Sequence, residues 1–577
     1  MAENFDVVVI GAGPAGYVAA IRAAQLKQKV AIVDKQWMGG VCLNVGCIPS
    51  KSLLKNAEVA HTLRERGKEF GFTFENLKLD YSVAVKRSRQ NSDRLTKGVG
   101  FLMKKNNIAV FMGEAKFKTK DTLNVTDKDG KVTELQAKNI IVATGASAMV
   151  PPVWKVDGEK VLTYWEAILQ TTLPKSVVII GSGAIGVEFT TVWNAYGVDV
   201  TIVEMLPRIV PLEDEEVSKE LEKEFKKRKI NIMTGHKVES VEATATGVKV
   251  KVSAEGKETV LEADQALVAI GFRPNSKNLG LEEVGVKISE RGFIEVNEKM
   301  QTNVPGIWAV GDVTGKLMLA HVGSTMGIVA AEHIGGHETV TLDYEMMPRA
   351  TYSYPQVASF GITEAQAKER GYEVKIGRFP FQPNGKALGM GDYAGFVKII
   401  TDAKYGELLG AHMIGPEVTE LLPELTLARM MELTAHELAR RHDARAVRAR
   451  GVRAPPGQRR ALVAPAVRAA QGPRARVDRL RRARRCRHRR RRRSAHGPRG
   501  DPGAARGRPR ARGRRHGPRV PQVRGHRVRF ARSRLSLRVQ GHRRPALPGQ
   551  ARDLRAPAMP LELGPWIFGR PMARCPR

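Results

Sequence analysis

The chain of 577 residues contains 95 Lys and Arg against 59 Asp and Glu, which gives a formal net charge of +36. The excess is confined to residues 441–577, where 42 Arg and no Lys stand against five acidic residues, whereas residues 1–440 carry a net charge of −1. A length of this order predicts three or four domains. Because the first 440 residues are close to neutral, a protein that binds nucleic acid or a membrane surface along its whole length is excluded.

The sequence also limits the compartment and the kind of disulfide that is expected. A strand-like apolar run begins at Phe5, so we expect no signal segment, and no stretch approaches the roughly 18 apolar residues that span a membrane. Cys42 and Cys47 are the only cysteines before residue 441. We therefore expect a cytoplasmic protein with no metal site and no structural disulfide framework, in which a disulfide would serve catalysis.

The first predicted elements are a strand, a glycine turn, a helix and a second strand. The apolar run at 7–10 is typical of a strand buried on both faces. It enters GAGPAG, with Gly11, Gly13 and Gly16, and the strand after the helix ends at Asp34. In such a unit the backbone N–H groups of the turn approach a pyrophosphate, and the acid accepts a hydrogen bond from a ribose hydroxyl. We predict a dinucleotide site here.

The next stretch, GGVCLNVGCIPSK, places Cys42 and Cys47 five residues apart. In an unbroken helix their Cα atoms would lie roughly 8 to 9 Å apart, whereas a disulfide needs less than about 7 Å. Pairing therefore requires the backbone near Gly46 to depart from regular helix, which glycine makes easy. From the residues alone, a redox pair and two buried free thiols both remain open. A zinc half-site is disfavoured because no second Cys/His pair lies nearby.

The strand–turn–helix–strand pattern returns roughly 170 residues later. The strand SVVII runs into GSGAIG, with Gly181, Gly183 and Gly186, and the strand VDVTIVE ends at Glu204. An acid at this position favours NAD over NADP, because its charge would repel a 2′-phosphate. Arg208, four residues later, would weaken that preference. Two such patterns predict two dinucleotide cofactors on one chain.

With these motifs, residues 6–440 closely resemble the flavoprotein disulfide reductases, and within that family the members that oxidise dihydrolipoyl groups. The motif GGxCLNVGCIPSK is the most specific feature, since the related glutathione and mercuric reductases typically have CVNVGCVP with other flanks. Further segments agree with the resemblance: ATGA (143–146), GFRPN (271–275), AVGDV (309–313), MLAH (318–321) and YSYPQVASFGITE (352–364).

The resemblance implies an enzyme with FAD at the first glycine turn and NAD at the second. Cys42 and Cys47 would form the redox disulfide, with Cys47 next to the flavin and Cys42 exchanging with the substrate. Lys51 would lie beside the flavin's reactive nitrogen and pair with Glu188, and Asp312 would bind the ribityl chain. Dihydrolipoyl groups would reduce the cysteine pair, and the electrons would pass through FAD to NAD⁺.

The residues that the resemblance implies for the two cofactors come from several segments of the chain. For FAD they are Gly11, Gly13, Gly16, Asp34, Lys51, Ala115, Thr144, Gly145, Asp312, Met318, Leu319, Ala320 and His321. For NAD they are Gly181, Gly183, Gly186, Glu188, Glu204, Val238 and Gly271.

The resemblance also implies an α/β fold with two Rossmann-like dinucleotide-binding domains and an α/β dimerisation domain. We expect an FAD domain formed by residues 1–148 and 274–346, with an NAD domain, residues 149–273, inserted between them. Residues 347–440 would form an incomplete interface domain. Residues 441–577 would form a tail that is disordered or translated out of frame.

The resemblance breaks at Arg441. In the family, a His in a segment like HPTLSE is oriented by its Glu, reaches the site from the partner subunit, and takes the proton from the dithiol. Here His442 and Asp443 fall near the expected place, but no His-Pro and no following Glu are present. His436 lies earlier, on the preceding predicted helix. We therefore assign no catalytic base.

The composition of residues 441–577 is unusual for a protein. Arg, Ala, Pro and Gly, whose commonest codons begin with two G or C bases, make up 93 of these 137 residues, and Lys is absent. This bias favours a GC-rich gene read out of frame. An arginine-rich arm that binds nucleic acid is the competing interpretation.

Three functions follow from these observations. The first is oxidation of dihydrolipoyl groups with NAD⁺, the second is a related NAD(P)H-dependent disulfide or mercuric reductase, and the third is a flavoprotein that binds nucleic acid through its tail. For the first we expect as partners the lipoyl domains of 2-oxoacid dehydrogenase or glycine cleavage complexes. We also expect a homodimer weakened by the altered terminus, no membrane association, and only non-specific binding of nucleic acid.

Overall fold

The computed structural model describes residues 3–440. The predictions for residues 441–577, including those for His442 and Asp443, lie outside this range. Within it, no helix is both long enough and apolar enough to cross a membrane.

The first sheet contains the strand and glycine turn predicted at the start of the chain. Its elements in order are β1 (Glu3–Ile10), α1 (Pro14–Gln25), β2 (Val30–Asp34), α2 (Gly40–Asn44), α3 (Cys47–Glu65), α4 (Tyr81–Lys105), β3 (Ala109–Met112), β4 (Glu114–Thr119), β5 (Thr122–Thr126) and β6 (Val132–Val142). The strand order is β3-β2-β1-β6-β5-β4, with β3, β2, β1 and β6 parallel. Val7, Val8 and Val9 have no exposed surface, as expected for a central strand covered on both faces.

The second sheet is parallel throughout and follows a short crossing strand. The elements are β7 (Ala146–Ala148), β8 (Val161–Leu162), α5 (Tyr164–Leu169), β9 (Ser176–Ile180), α6 (Ala184–Ala195), β10 (Asp199–Glu204), α7 (Glu215–Lys227), β11 (Asn231–Thr234), β12 (Lys237–Ala243), β13 (Val248–Ala254), β14 (Lys257–Ala263), β15 (Gln265–Val268) and β16 (Phe272–Pro274). The parallel order is β11-β10-β9-β15-β8, and β12-β13-β14 form a separate antiparallel sheet. β7 pairs with β16, so the chain leaves the first sheet and returns to it through adjacent strands.

The chain then completes the first sheet and builds a third unit. β17 (Ile307–Ala309) pairs with β6, and a 3-10 helix (Gly311–Thr314) and α8 (Ala320–Ile334) follow. The third unit contains β18 (Arg349–Thr351), β19 (Gln356–Gly361), α9 (Glu364–Glu369), β20 (Val374–Pro380), α10 (Gly385–Met390), β21 (Phe396–Asp402), β22 (Leu408–Gly415), α11 (Val418–Met430) and α12 (Ala435–Arg440). Its antiparallel sheet has the order β18-β19-β22-β21-β20.

The predicted α/β fold class is confirmed. Each of these two sheets has a glycine turn at the carboxyl end of a central strand with parallel neighbours, β1 in the first sheet and β9 in the second. The sheets use residues 3–142 with 307–309, residues 161–268, and residues 349–415. The predicted domain limits at 148, 273 and 346 stay predictions.

Candidate active site

A cavity of about 1050 Å³ lies at the carboxyl ends of β1 and β2. It is bounded by the first glycine turn, the two cysteine-bearing helices α2 and α3, the 3-10 helix, and the N-terminal end of α6 from the second unit. Ligands of open parallel sheets bind at this edge, outside the carboxyl ends of the strands. The cavity therefore brings together residues that the sequence places in distant segments.

The three glycines of the first turn have different physical roles. Gly11 has φ +105°, and a Cβ atom there would lie 2.3 Å from the carbonyl oxygen of Ala143. A Cβ on Gly16 would lie 1.8 Å from the carbonyl oxygen of Gly11, so α1 packs against the turn only without a side chain. At Gly13 the nearest atom would be 4.0 Å away, so this position leaves open space at the cavity for a phosphate.

Asp34 connects the end of β2 to the first turn. Its Oδ2 accepts a hydrogen bond of 2.7 Å from the Ala12 N–H, and its Oδ1 accepts from the N–H groups of Gln36 and Trp37 at 2.8 and 2.9 Å. The carboxylate lines the cavity. It therefore orders the turn and presents an acceptor at the position where a ribose hydroxyl is expected.

The second turn repeats this arrangement. A Cβ on Gly181 would lie 2.4 Å from the Ala269 carbonyl oxygen, one on Gly186 would lie 2.0 Å from the Gly181 carbonyl oxygen, and one on Gly183 would meet nothing within 4 Å. Glu204 Oε2 accepts from the N–H and hydroxyl of Ser182 at 2.9 and 2.7 Å. The second turn thus has the same open middle position and the same acid-bound loop as the first.

The segment between the cysteines departs from regular helix, as pairing requires. α2 ends at Asn44 and α3 begins at Cys47, with Gly46 between them at φ −129° and ψ −115°. The Asn44 side chain donates to the carbonyl oxygens of Met38 and Gly40 at 3.0 and 2.9 Å, which fixes the end of α2. Both cysteines are present as free thiols.

The two thiols differ in acidity. A hydrogen bond from the Cys42 thiol lowers the pKa of Cys47, burial opposes this effect, and the positive charge of Lys51 adds to it. The same hydrogen bond and burial raise the pKa of Cys42 well above its ordinary value. The arrangement therefore favours a thiolate on Cys47 and a protonated thiol on Cys42, as expected of a dithiol in which one sulfur carries the negative charge.

Lys51 and Glu188 form an ion pair between two units of the fold. Lys51 is one turn after Cys47 in α3, and its Nζ lies 3.0 and 2.9 Å from the two carboxylate oxygens of Glu188 in α6. Burial lowers the pKa of Lys51, but the charges of Glu188 and Cys47 outweigh it and raise that pKa overall. The ammonium therefore remains charged beside Cys47.

Asp312 supplies a carboxylate to the same cavity from the 3-10 helix. Burial raises the pKa of Asp312 to about 6, and no hydrogen bond to this carboxylate is found within residues 3–440. A half-buried carboxylate without a hydrogen-bond donor fits a ligand that carries hydroxyl groups. The Asp312 carboxylate, the open position at Gly13 and the acceptor at Asp34 are together what binding of FAD requires, so the residues of this cavity fit that cofactor.

Most of the other predicted FAD residues line the same cavity, namely Ala115, Thr144, Gly145, Met318, Leu319 and Ala320. The hydroxyl of Thr144 donates to the Asn275 carbonyl oxygen at 2.7 Å, which joins the ATGA and GFRPN segments. His321 does not line the cavity, and its Nε2 lies 3.0 Å from the Pro348 carbonyl oxygen.

Of the residues predicted for NAD, Glu188 lines this cavity, whereas six others lie outside it, namely Gly181, Gly183, Gly186, Glu204, Val238 and Gly271. Val238 lies in β12 and packs against the apolar core of the second unit. Gly271 has φ +124°, and its carbonyl oxygen accepts from the Met149 N–H at 2.9 Å. Their roles stay predictions.

Sequence reasoning missed Tyr352 and the Trp37–Trp165 pair. The Tyr352 N–H donates to Glu188 Oε1 at 3.0 Å, and its ring centroid lies 4.6 Å from Lys51 Nζ. Trp37 and Trp165 stack with their centroids 4.9 Å apart and line the cavity. No spacing in the sequence indicates these contacts, because each joins residues from two different units.

The described residues contain no evident proton acceptor for the dithiol. His436 lies at the start of α12, where its backbone N–H donates to the Thr434 hydroxyl at 3.2 Å, and within residues 3–440 no contact joins its ring to either cysteine. His442 lies outside the described range. The base is therefore unassigned in the structure, as it was in the sequence.

The fold and site define an oxidoreductase with two dinucleotide-binding units and a reactive dithiol between them. Residues 5–327 match the model of the pyridine nucleotide-disulphide oxidoreductase family, and residues 347–444 match the dimerisation domain of that family. The chain belongs to this family, and the predicted cofactors, FAD and NAD, are those that its members use.

Curated relatives indicate which members of this family the chain is similar to. The chain is 54% identical over 442 residues to a dihydrolipoyl dehydrogenase of Mycobacterium leprae and 51% identical over 446 residues to one of Corynebacterium glutamicum. Each match covers 76% of this chain and 94% of the relative. The matched 76% of this chain is about as long as the segment that precedes residue 441.

Solved structures agree with the family assignment. The crystal structure of LpdA from Mycobacterium tuberculosis has a TM-score of 0.72 at 27% identity and covers 77% of this chain and 97% of its own. The HOCl-induced flavoprotein disulfide reductase RclA from Escherichia coli has a TM-score of 0.68 at 27% identity, covering 76% of this chain and 96% of its own.

Proposed function

We propose that this chain oxidises protein-bound dihydrolipoyl groups with NAD⁺ through a Cys42–Cys47 disulfide and FAD. The observation that carries the proposal is the placement of Cys47, with its lowered pKa, beside the Lys51–Glu188 pair in a cavity that α1 and α6 both reach. The names of the curated relatives support dihydrolipoyl groups over other disulfides or mercury as the substrate.

The thiol chemistry follows from the difference between the two sulfurs. A substrate thiolate attacks Sγ of Cys42, the Cys42–Cys47 bond breaks, and Cys47 leaves as a thiolate that Lys51 stabilises. The second substrate thiol, after losing its proton, attacks the substrate sulfur of the mixed disulfide. Cys42 is released and takes up a proton, and the substrate leaves as a cyclic disulfide that has lost two electrons to the cysteine pair.

FAD, when bound, supplies the hydride chemistry that links the reduced cysteine pair to NAD⁺. Gly13, Asp34 and Asp312 would hold it in the first unit. Gly183 and Glu204 would hold NAD in the second unit. The residues proposed to hold the two cofactors thus belong to different sheets, and of the residues predicted for NAD only Glu188 lines the cavity.

The partners follow from the proposed substrate. Lipoyl domains of 2-oxoacid dehydrogenase or glycine cleavage complexes would present the dihydrolipoyl group, and a homodimer formed by the matched dimerisation domain would complete the site. The two cysteines among residues 3–440 and their redox role support a cytoplasmic location. The hypothesis of nucleic-acid binding rests on residues 441–577, outside the described range.

The test is Cys47→Ser with Cys42→Ser as its matched companion. Cys47→Ser should retain FAD, measured by visible absorbance, and lose nearly all NADH-dependent reduction of lipoamide, because the thiol next to the cofactor is absent. Cys42→Ser should lose the same turnover but keep a titratable Cys47 thiolate. Near-normal turnover by either variant would refute the redox-pair assignment.

A further inference from the structure

Lys398 is a buried residue of β21 at the centre of an ion cluster that the redox site does not use. Only 2% of its side chain is exposed, and its Nζ lies 3.0 Å from Asp214, 2.8 Å from Glu216 and 2.7 Å from Glu364. Burial lowers the pKa of Lys398, but the hydrogen bonds to the three carboxylates raise that pKa overall. The cluster therefore favours the charged ammonium and gives it three carboxylate partners.

The cluster joins the third unit to the second. Lys398 and Glu364 belong to the third unit, whereas Asp214 and Glu216 lie at the start of α7. Asp214 is also the N-cap of α7, because its Oδ1 accepts from the Glu216 N–H at 3.1 Å. Lys398 thus binds the residue at which α7 begins.

The loop before α7 contacts the second glycine turn. This loop, residues 205–213, starts directly after Glu204 and ends directly before Asp214. The Val210 N–H donates to the Ser182 carbonyl oxygen at 3.1 Å, and the Leu206 N–H donates to Glu204 Oε1 at 2.9 Å. A shift of this loop would therefore displace both the turn and its acid.

Val210 shows that the loop is held in place against a conformational preference. It is buried and has φ +40°, a left-handed conformation that β-branched residues rarely adopt. Such a conformation persists only where surrounding contacts impose it. Here the Glu213 N–H and the Ser218 hydroxyl donate to the Val210 carbonyl oxygen at 2.9 and 3.3 Å, so the end of the loop and the first turn of α7 impose it together.

We propose that Lys398 is a positioning residue for the nicotinamide coenzyme. It holds Asp214, the first turn of α7 holds Val210, and Val210 holds Ser182 in the second glycine turn. The proposal rests on the proposed function, in which NAD binds at that turn. It means that the third unit sets coenzyme affinity without contacting the coenzyme.

A purely structural ion cluster would behave differently. Its loss would lower the thermal stability of the chain and leave the affinity of the folded protein for NADH unchanged. Positioning instead predicts a change in NADH affinity and in the KM for NADH, with little change in kcat or in FAD content. These readouts separate the two roles.

The experiment uses the full FAD-loaded chain with three variants and a control. Lys398→Met removes the ammonium, and Asp214→Asn keeps an N-cap residue for α7 but removes one of the three charges that bind Lys398, the one at the N-cap. Lys398→Arg restores the charge. Lys375→Met is the control, because Lys375 lies exposed on the neighbouring strand β20 and donates only to the Ala403 carbonyl oxygen, at 2.9 Å.

We expect Lys398→Met and Asp214→Asn to raise the Kd and KM for NADH by about 5- to 20-fold, in the range typical of coupling between sites. The kcat for oxidation of NADH with ferricyanide as the electron acceptor should stay within about twofold of the value for the unaltered chain. Lys398→Arg should recover most of the affinity, and Lys375→Met should match the unaltered chain. If Lys398→Met does not fold, Asp214→Asn and Lys398→Arg decide the question.

Unchanged NADH affinity in folded Lys398→Met or in Asp214→Asn would overturn the positioning role alone. A fall in kcat at constant KM would also overturn it. Failure of the unaltered chain to bind NADH would overturn the proposed function, and the positioning role with it.

Discussion

Glu204 gives a test of coenzyme choice whose size follows from its contacts. The side chain is 8% exposed and accepts three hydrogen bonds, from the Ser182 N–H, the Ser182 hydroxyl and the Leu206 N–H. Glu204→Ala removes these and also the bond expected to a ribose hydroxyl. A hydrogen bond to a charged group contributes about 1 to 3 kcal/mol, so the Kd for NADH should rise by about 5- to 150-fold.

Loss of the loop contacts alone would also weaken coenzyme binding, so affinity for NADH is not sufficient as a readout. NADPH separates the two effects, because the carboxylate repels a 2′-phosphate as well as holding the loop. Arg208 lies nearby, donates to the Pro211 carbonyl oxygen at 3.2 Å, and has a buried Nε without a hydrogen-bond partner. In Glu204→Ala, NADPH should therefore lose less affinity than NADH.

The measurement is a fluorescence titration of both coenzymes with the unaltered chain, Glu204→Ala and a control, Glu222→Ala. Glu222 lies in α7, where its carboxylate pairs with Lys226 at 2.6 Å. The control should change neither Kd. Equal losses for NADH and NADPH in Glu204→Ala would show that the carboxylate only orders the loop. A preference of the unaltered chain for NADPH would refute the assignment of the second site.

Three further predictions concern the redox site and the terminus. Lys51→Met removes a positive charge that stabilises the Cys47 thiolate, so the pKa of Cys47 should rise and its thiolate absorbance should titrate at higher pH, whereas Lys55→Met, one turn later, should leave the titration unchanged. Burial raises the pKa of Asp312 to about 6, so ionising this carboxyl costs stability as pH rises from about 4 to about 6. In the FAD-free chain, Asp312→Asn should therefore increase the free energy of unfolding by about 1 to 3 kcal/mol above pH 6 and leave it unchanged below pH 4. Equal stability of the variant and the unaltered chain at pH 7 would refute this. Replacing residues 441–577 with a family-type terminus that carries His-Pro and Glu should raise lipoamide turnover by about two orders of magnitude or more, whereas equal activity would identify His442 or another residue of the present terminus as the proton acceptor.

The two glycine turns could be predicted from the sequence because their requirements are local. Glycine is required at three fixed positions: where the turn meets a strand, at the open middle of the turn, and where the helix packs closely against it. The acid follows at the end of the next strand. In the structure Gly11 and Gly16 make such close contacts, and Asp34 accepts a hydrogen bond from the Ala12 N–H, whereas its bond to a ribose hydroxyl stays a prediction. The break in helix before Cys47 was predictable on the condition that the two cysteines pair, because their five-residue spacing is too wide for a disulfide in an unbroken helix.

The remaining contacts could not be predicted because they join residues that only the folded chain brings together. Lys51 and Glu188 are 137 positions apart, and without the family resemblance each would be interpreted as a solvent-exposed helix charge. Lys398 is 184 positions from Asp214, and its sequence context is an apolar strand in which a buried ammonium is unexpected. Neither pair follows a periodicity of helix or strand.

The redox site depends on all three units of the fold. Lys51 comes from the first unit, Glu188 from the second, and the Tyr352 N–H that binds Glu188 comes from the third. Because the Lys51 charge contributes to the lowered pKa of Cys47, the acidity of that thiol depends on how Glu188 and Tyr352 hold the ammonium. A change in the third unit can therefore alter thiol chemistry through Tyr352, although both cysteines lie outside that unit, and the role proposed for Lys398 would extend this dependence to coenzyme binding.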